Sequence, residues 1–227
     1  MSALSQLDEL GFALIANALA ADYGAELVAV LEDAHARRAG SRNLLDVPSC
    51  QSLAATLKAH AEIGPILPRG AVAVQCTFFD KSADYNWLVA LHQDLSIPVQ
   101  ARSSHPECSG WSEKEGVLYI QPPVGVLDSL VAVRTHLDDC GSPNGPLRVV
   151  PGSHRYGRLS AEAARALREQ RGEVECLARQ GDALAMRPLL LHASSKAQAQ
   201  AQAPRRVLHF LFGPKELPCG LEWHRAV

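Results

Sequence analysis

The chain reads as a mainly β protein with flanking α-helices, its helices coming first and a double-sheet β core after them. Three observations predict this. Up to residue 65 the apolar residues recur at helical spacing. From residue 71 the texture changes to short apolar or alternating runs divided by Gly, Pro and Asn. These runs follow one another too closely for βαβ units, which leaves a sandwich, a jelly roll or a barrel.

Within the first 65 residues, the stretch 22–38 brings Leu27, Val30, Leu31 and Ala34 to one face, ends in basic residues and stops at Gly40. A second helix near 50–62 sets Leu53, Leu57 and Ala61 on one side and ends at Gly64-Pro65. Candidate strands follow at 71–79, 87–92, 117–121, 130–137, 147–150, 173–178, 183–187, 189–192 and 205–213. A helix at 160–171, opened by Ser160 and closed by Gly172, interrupts them. AQAQAQAP at 197–204 has no hydrophobic period and reads as a loop between two strands. With no repeat and no second core, residues 1–227 are expected to form a single domain, 1–65 its helical flank and 70–213 its β core.

Composition excludes several function classes. Lys plus Arg number 22 against 24 Asp plus Glu, a net charge of −2, so the chain lacks the basic excess that general nucleic-acid binding or a polybasic membrane contact requires. No apolar run approaches the ~18–20 residues of a membrane span, and MSALSQLDEL resembles no signal peptide. The protein is expected to be soluble and cytoplasmic. Six scattered cysteines without a CxxC pair read as reduced thiols, outside the chemistry.

The histidines carry the functional signal. In LHQDL, His92 and Asp94 are one residue apart, so on a strand both project to the same face. With His192 of LLLHASS they compose a two-histidine, one-carboxylate set of the kind that holds Fe(II) and leaves coordination positions open. His136 and Asp138 in THLDDC have the same spacing, with His154 or His192 available as third ligand. Spacing leaves both pairs open and favours His92 only slightly. Beyond His192, Arg205 and Arg206 enter a strand, and an arginine fork there suits a dicarboxylic cosubstrate such as 2-oxoglutarate. On that strand Arg205, Val207 and His209 share one face. Arg206, Leu208, Phe210 and Phe212 share the other, which is expected to pack on the N-terminal helices.

LHQDL at 91–95, PNGPLRVVPGSH at 143–154, LLLHASS at 189–195 and PRR at 204–206 together resemble the phytanoyl-CoA dioxygenase family of Fe(II)/2-oxoglutarate oxygenases, in the family's order, across about residues 70–213. The resemblance implies a double-stranded β-helix, the jelly-roll, cupin-like core of that class. It implies that His92, Asp94 and His192 are the iron ligands and that His136 lies on a strand before the NG turn. It implies that Arg205 binds the distal carboxylate of 2-oxoglutarate with help from Ser194, with Arg206 as a substitute, and that Thr77 and Gln93 touch the cosubstrate. Arg134 stands where a family tryptophan lines the site and is assigned to the same cosubstrate. The expected reaction consumes O2 and 2-oxoglutarate, releases succinate and CO2, and oxidises a small-molecule substrate, by hydroxylation as the default outcome. Substrate contacts are expected from the segment 96–121, at Gln100, Arg102, Trp111 and Gln121, with His105 and Lys114 further candidates. The competing readings are a redox-neutral cupin-like metalloenzyme, a hydrolase or isomerase, and a non-catalytic jelly-roll binding protein.

Overall fold

The computed structural model describes residues 1–20, 27–28, 40–81, 85–198 and 204–227. Helix α1 (Ala3–Leu10) is opened by Ser2, whose hydroxyl accepts the Ser5 N–H, and closed by Gly11 in the left-handed region at φ 84°. Strand β1 (Phe12–Ile15) follows directly, and β2 (Gly40–Ser41) comes after the undescribed residues. Helix α2 (Pro48–Ala59) precedes β3 (Val72–Lys81), β4 (Val89–His92), β5 (Ile97–Val99), β6 (Ser109–Lys114) and β7 (Val117–Gln121). Then come the short helix α3 (Val124–Asp128), β8 (Val131–His136), β9 (Leu147–Val149) and helix α4 (Ala161–Arg171). The chain finishes with β10 (Val174–Cys176), β11 (Ala183–Met186), β12 (His192–Ser194) and β13 (Arg205–Gly213).

The large sheet runs β1-β11-β8-β13-β3-β2 and the small one β10-β9-β12-β4. Their strand pairs are antiparallel, with the crossing connections of a double-stranded β-helix. A third sheet, β5-β7-β6, stands beside the mouth of the jelly roll. Between the two main sheets, Ala132, Leu184, Met186 and Leu211 of the large sheet meet Leu147, Val149 and Cys176 of the small one.

The outer face of the large sheet holds the second apolar layer. Leu208, Phe210 and Phe212 alternate outward from β13 and pack in one cluster with Leu7 of α1, Leu27, and Leu53 and Leu57 of α2. The face expected for this strand is therefore the one observed. Each such buried side chain contributes about 1.5–3 kcal/mol, so this layer fixes the register of β13 and aims Arg205, Val207 and His209 inward.

Several sequence expectations need correction. The N-terminal flank is not purely helical: Phe12–Ile15 pairs with β11 at the edge of the large sheet, so the β structure begins well before residue 70. Four residues with one exposed leucine give too short an alternation to read. The strand expected at 189–192 starts at His192, because Arg187–Leu190 form a turn closed by the Leu190 N–H to the Arg187 carbonyl. Besides the expected strand at 117–121, the segment 96–121 holds two that were not expected, β5, only three residues with Pro98 at its centre, and β6, rich in Ser, Glu and Lys. Helix α4 has its expected Ser160 cap and ends at Gly172. The helix expected over 22–38 and the loop over 197–204 lie largely outside the described residues, of which Leu27 and Val28 are helical. Among the described residues no helix is long and apolar enough to cross a membrane, and the six cysteines are free thiols.

Candidate active site

The site begins with one cross-strand pair. His92 ends β4 and His192 begins β12, and the antiparallel register sets their Cα atoms opposite one another. Their ring centroids are 4.1 Å apart. Each Nδ1 lies against the carbonyl two residues earlier, His92 on Ala90 at 2.8 Å and His192 on Leu190 at 2.9 Å. A carbonyl only accepts, so Nδ1 carries the proton and the Nε2 lone pair faces outward. Asp94 completes the set, its Oδ1 3.7 Å from His92 Nε2 and its Oδ2 3.8 Å from His192 Nε2.

Those distances exceed hydrogen-bond length, yet the three donor atoms all lie within 4.8 Å of one another, the only such three-residue group among the described residues. Burial lowers His192 to about 4, against the opposing pull of Asp94, which keeps the imidazole neutral. Burial raises the Asp94 carboxyl, but His192, His209, His92 and Arg134 more than offset this and hold it ionised below its usual range. Two imidazoles and a carboxylate converging on one point are the donor set that iron(II) takes.

Gln93, between the two ligands, turns its amide into the protein. Its Nε2 donates to the carbonyls of Gly157 and Leu189, and its Oε1 accepts the Leu159 N–H. Those bonds, with Asp94 N–H to the Pro188 carbonyl at 2.9 Å, pin the turn that presents His92 and Asp94. Gln93 lines the cavity wall, and its amide, engaged on both sides, holds this turn.

Deeper in the jelly roll, the inward positions of β3, β13 and β8 fall in rows. Thr77, His209 and Arg134 form one, and Lys81 stands opposite Arg205 in another. Arg134 Nη1 donates to His209 Nδ1 at 3.1 Å and its guanidinium lies over the Phe79 ring. Burial, then Arg134, lower His209 to about 3, so it stays a neutral acceptor. Lys81 is 1% exposed and donates to Ser194 Oγ at 2.9 Å and the Ser195 carbonyl at 2.6 Å. Ser194 Oγ in turn donates to the Gly145 carbonyl. Gly145 sits at φ 62°, where a Cβ would come within 2.4 Å of the Ser195 carbonyl, so the NG turn needs glycine.

Arg205 is buried, and its Nε has no hydrogen-bond partner among the described residues; neither has Arg134 Nε. Burial, reinforced by Arg205 and Arg134, lowers Lys81 to about 8. Burial, reinforced by Arg205, lowers Arg134 to about 10. Arg134 and Arg205 line one cavity of about 430 Å³, with Lys81 cross-strand from Arg205, and Asp94 is the one carboxylate among the described lining residues. Buried charge of one sign with unfilled donors fits an anion, and a dicarboxylate matches it in chemistry.

Arg206 is engaged elsewhere. Its backbone N–H, Nε and Nη2 donate to the Asp138 carboxylate at 2.8, 2.8 and 2.7 Å. The rival metal pair therefore dissolves: Asp138 is an ion-pair partner, while His136 is buried, lowered to about 3 by burial and the two arginines, and lies outside the donor cluster. His154 is on the surface side, near the Asp8 carbonyl.

Of the expected substrate residues, Gln121 lines the cavity and Gln100, Arg102 and Trp111 do not. The reason is the unexpected β6, which leaves Arg102 over the Trp111 ring away from the cavity. On β6 and β7, Lys114, Tyr119 and Gln121 face inward. Lys81 escaped the sequence reading because strand 71–79 was ended too early. The signal was the alternation Thr77, Phe79, Lys81. His209 is on the cavity wall by the same alternation that places Arg205.

Fold and donor set define a jelly-roll protein built around a two-histidine, one-carboxylate centre. The chain belongs to the phytanoyl-CoA dioxygenase (PhyH) family, whose profile matches residues 7–207, and so to a family of iron- and 2-oxoglutarate-dependent enzymes. No curated protein sequence matches it. Among solved structures, the α-ketoglutarate-dependent epimerase SnoN of nogalamycin biosynthesis is 17% identical with a TM-score of 0.66, covering 99% of this chain and 92% of its own. HygX from Streptomyces hygroscopicus, with nickel and 2-oxoglutarate bound, is 18% identical with a TM-score of 0.66, covering 98% and 88%. EctD from S. alaskensis, with 2-oxoglutarate and 5-hydroxyectoine, is 15% identical with a TM-score of 0.67, covering 92% and 74%. At these identities the likeness is one of fold.

Proposed function

We propose that the protein is an Fe(II)/2-oxoglutarate-dependent dioxygenase that hydroxylates a small-molecule substrate, with His92, Asp94 and His192 as the iron ligands. The observation that carries this reading is that one cavity is lined both by the His92–Asp94–His192 donor cluster and by Arg134 and Arg205, with Lys81 cross-strand from Arg205. A redox-neutral metalloenzyme would have no use for the second.

Iron held by His92, Asp94 and His192 would supply, with 2-oxoglutarate and O2, the oxidising chemistry whose products are succinate, CO2 and an oxygenated substrate. The chain supplies position and charge. Arg205 offers its planar fork to the distal carboxylate, Lys81 holds Ser194 beside it, and Thr77 and Arg134 flank the path back to the metal. Asp94 fills the third ligand place with a carboxylate, which favours oxygen transfer over halogenation. Leu127, Leu130 and Leu147 give the cavity an apolar wall against which a substrate's hydrocarbon part can lie.

Incubation with Fe(II), ascorbate and 2-oxoglutarate, followed for succinate, tests the reading. Succinate that depends on iron and disappears in Asp94→Ala is the expected result, and 2-oxoglutarate left intact overturns it. One similar fold belongs to an epimerase, so analysis of the product once a substrate is found separates hydroxylation from other outcomes.

A further inference from the structure

The charge on the cavity wall exceeds what metal and cosubstrate can balance. If the reading above holds, 2-oxoglutarate brings two negative charges that Arg134 and Arg205 on the cavity wall match, and Asp94 brings one to an ion of charge two. The opposite wall adds more positive charge. Lys114 extends from β6 into the cavity and lies 4.8 Å from the Tyr119 ring centroid. It has no ion-pair partner among the described residues, whereas its neighbour Arg42 is held by Glu115 at 3.2 Å.

Further along the same face of β7, Tyr119 adds a ring and then Gln121 a neutral amide. Partial burial and the charge of Arg42 lower the Lys114 ammonium, with Asp94 opposing from the metal side. A cation kept half out of water without a counter-ion is a cost to the empty protein that a negatively charged ligand removes.

We propose that the substrate carries an anionic group, a carboxylate or a phosphate, which Lys114 binds at the wall opposite the metal ligands, with Arg42 beside it and Gln121 as a neutral hydrogen-bonding partner. This names the substrate class of the proposed oxygenase site and rests on that reading. The anion anchors the end of the molecule remote from the reacting carbon, and the span between Lys114 and the His92–Asp94–His192 cluster sets which carbon is presented.

The experiment titrates the anaerobic Fe(II) protein, saturated with 2-oxoglutarate, with hexanoate, n-hexyl phosphate and hexanamide by calorimetry. Saturation keeps the probes out of the Arg205 cradle. At least one charged probe is expected to bind about tenfold or more tighter than hexanamide, as a charge-assisted contact provides. Which of the two binds tighter distinguishes a carboxylate from a phosphate substrate. Lys114→Gln is expected to bring all three probes within about twofold, and Lys114→Arg to restore the preference. The visible charge-transfer band of the iron–2-oxoglutarate complex is read first. Its absence in the unaltered protein overturns the oxygenase reading and this proposal with it. Its presence with equal affinity for the three probes, or with an anion preference that survives Lys114→Gln, overturns this proposal alone.

Discussion

Arg205→Met and Arg206→Met, neighbours in sequence, are expected to fail in opposite ways. Methionine keeps most of the stem and removes the guanidinium, so packing is largely held constant. Arg205 has an unpartnered Nε among the described residues, and its charge acts on the cations Lys81 and Arg134; removing it relieves the ligand-free protein and deprives 2-oxoglutarate of its fork. Charge-assisted hydrogen bonds contribute about 1.5–3 kcal/mol, so affinity for the cosubstrate should fall ~10- to 150-fold, while thermal stability without ligand holds or rises. Arg206 instead donates twice from its side chain to a largely buried Asp138. Its loss leaves that carboxylate with only the backbone N–H and should cost about 1.5–3 kcal/mol of stability, roughly 3–12 °C in melting temperature for a domain of this size, with cosubstrate affinity changed at most about twofold. Anaerobic titration of 2-oxoglutarate against the Fe(II) protein, read in the charge-transfer band, gives the affinities, and a thermal melt gives the stabilities. Equal loss of affinity in both variants, or loss confined to Arg206→Met, would refute the assignment of the inward face of β13.

Lys81, lowered to about 8 from 10.5, binds fewer protons when folded than when unfolded between those values, so its contribution to stability should be absent below pH 8 and grow as pH rises toward 10.5. Urea midpoints of the ligand-free protein at pH 7 to 10, against the flat response expected of Lys81→Met for this contribution, check it, and a fall in 2-oxoglutarate affinity above pH 8 should accompany it. Phe210→Ala, in the layer between β13 and the N-terminal helices, should lower unfolding free energy by about 3–5 kcal/mol in a denaturant titration while iron binding survives under native conditions. Gly145→Ala should displace the Ser195 carbonyl that Lys81 grips and weaken 2-oxoglutarate binding more than it weakens iron binding, as the same charge-transfer titration with separate metal analysis would register.

The chemistry of this protein was more legible in its sequence than its boundaries. HxD spacing puts two donors on one face wherever a strand ends, and alternation along 205–212 assigns Arg205 inward and three large apolar residues outward, because neither argument needs to know what lies opposite. The choice between His92 and His136 does need it. The resemblance points to His92, and the antiparallel register that places His192 against His92, with the ion pair that takes Asp138 for Arg206, agrees with it; both are contacts between distant parts of the chain. Short strands were missed for the same reason. Phe12–Ile15 and Ile97–Val99 are strands because of the partners at Ala183–Met186 and Leu118–Ile120, and their own residues are too few to carry a period. Lys81 lies at the extreme of this limit: a lysine at a strand end reads as solvated until Ser194 and the Ser195 carbonyl are brought to it.

The central claim is that His92, Asp94 and His192 hold iron while His136 does not. Metal analysis of purified variants loaded anaerobically with Fe(II), alongside the charge-transfer band with 2-oxoglutarate, tests it most directly. The account predicts one iron per chain and a band in the unaltered protein and in His136→Ala, and loss of both in His92→Ala and His192→Ala. Iron and band retained in His92→Ala, or lost in a His136→Ala protein that remains folded by circular dichroism, would contradict it.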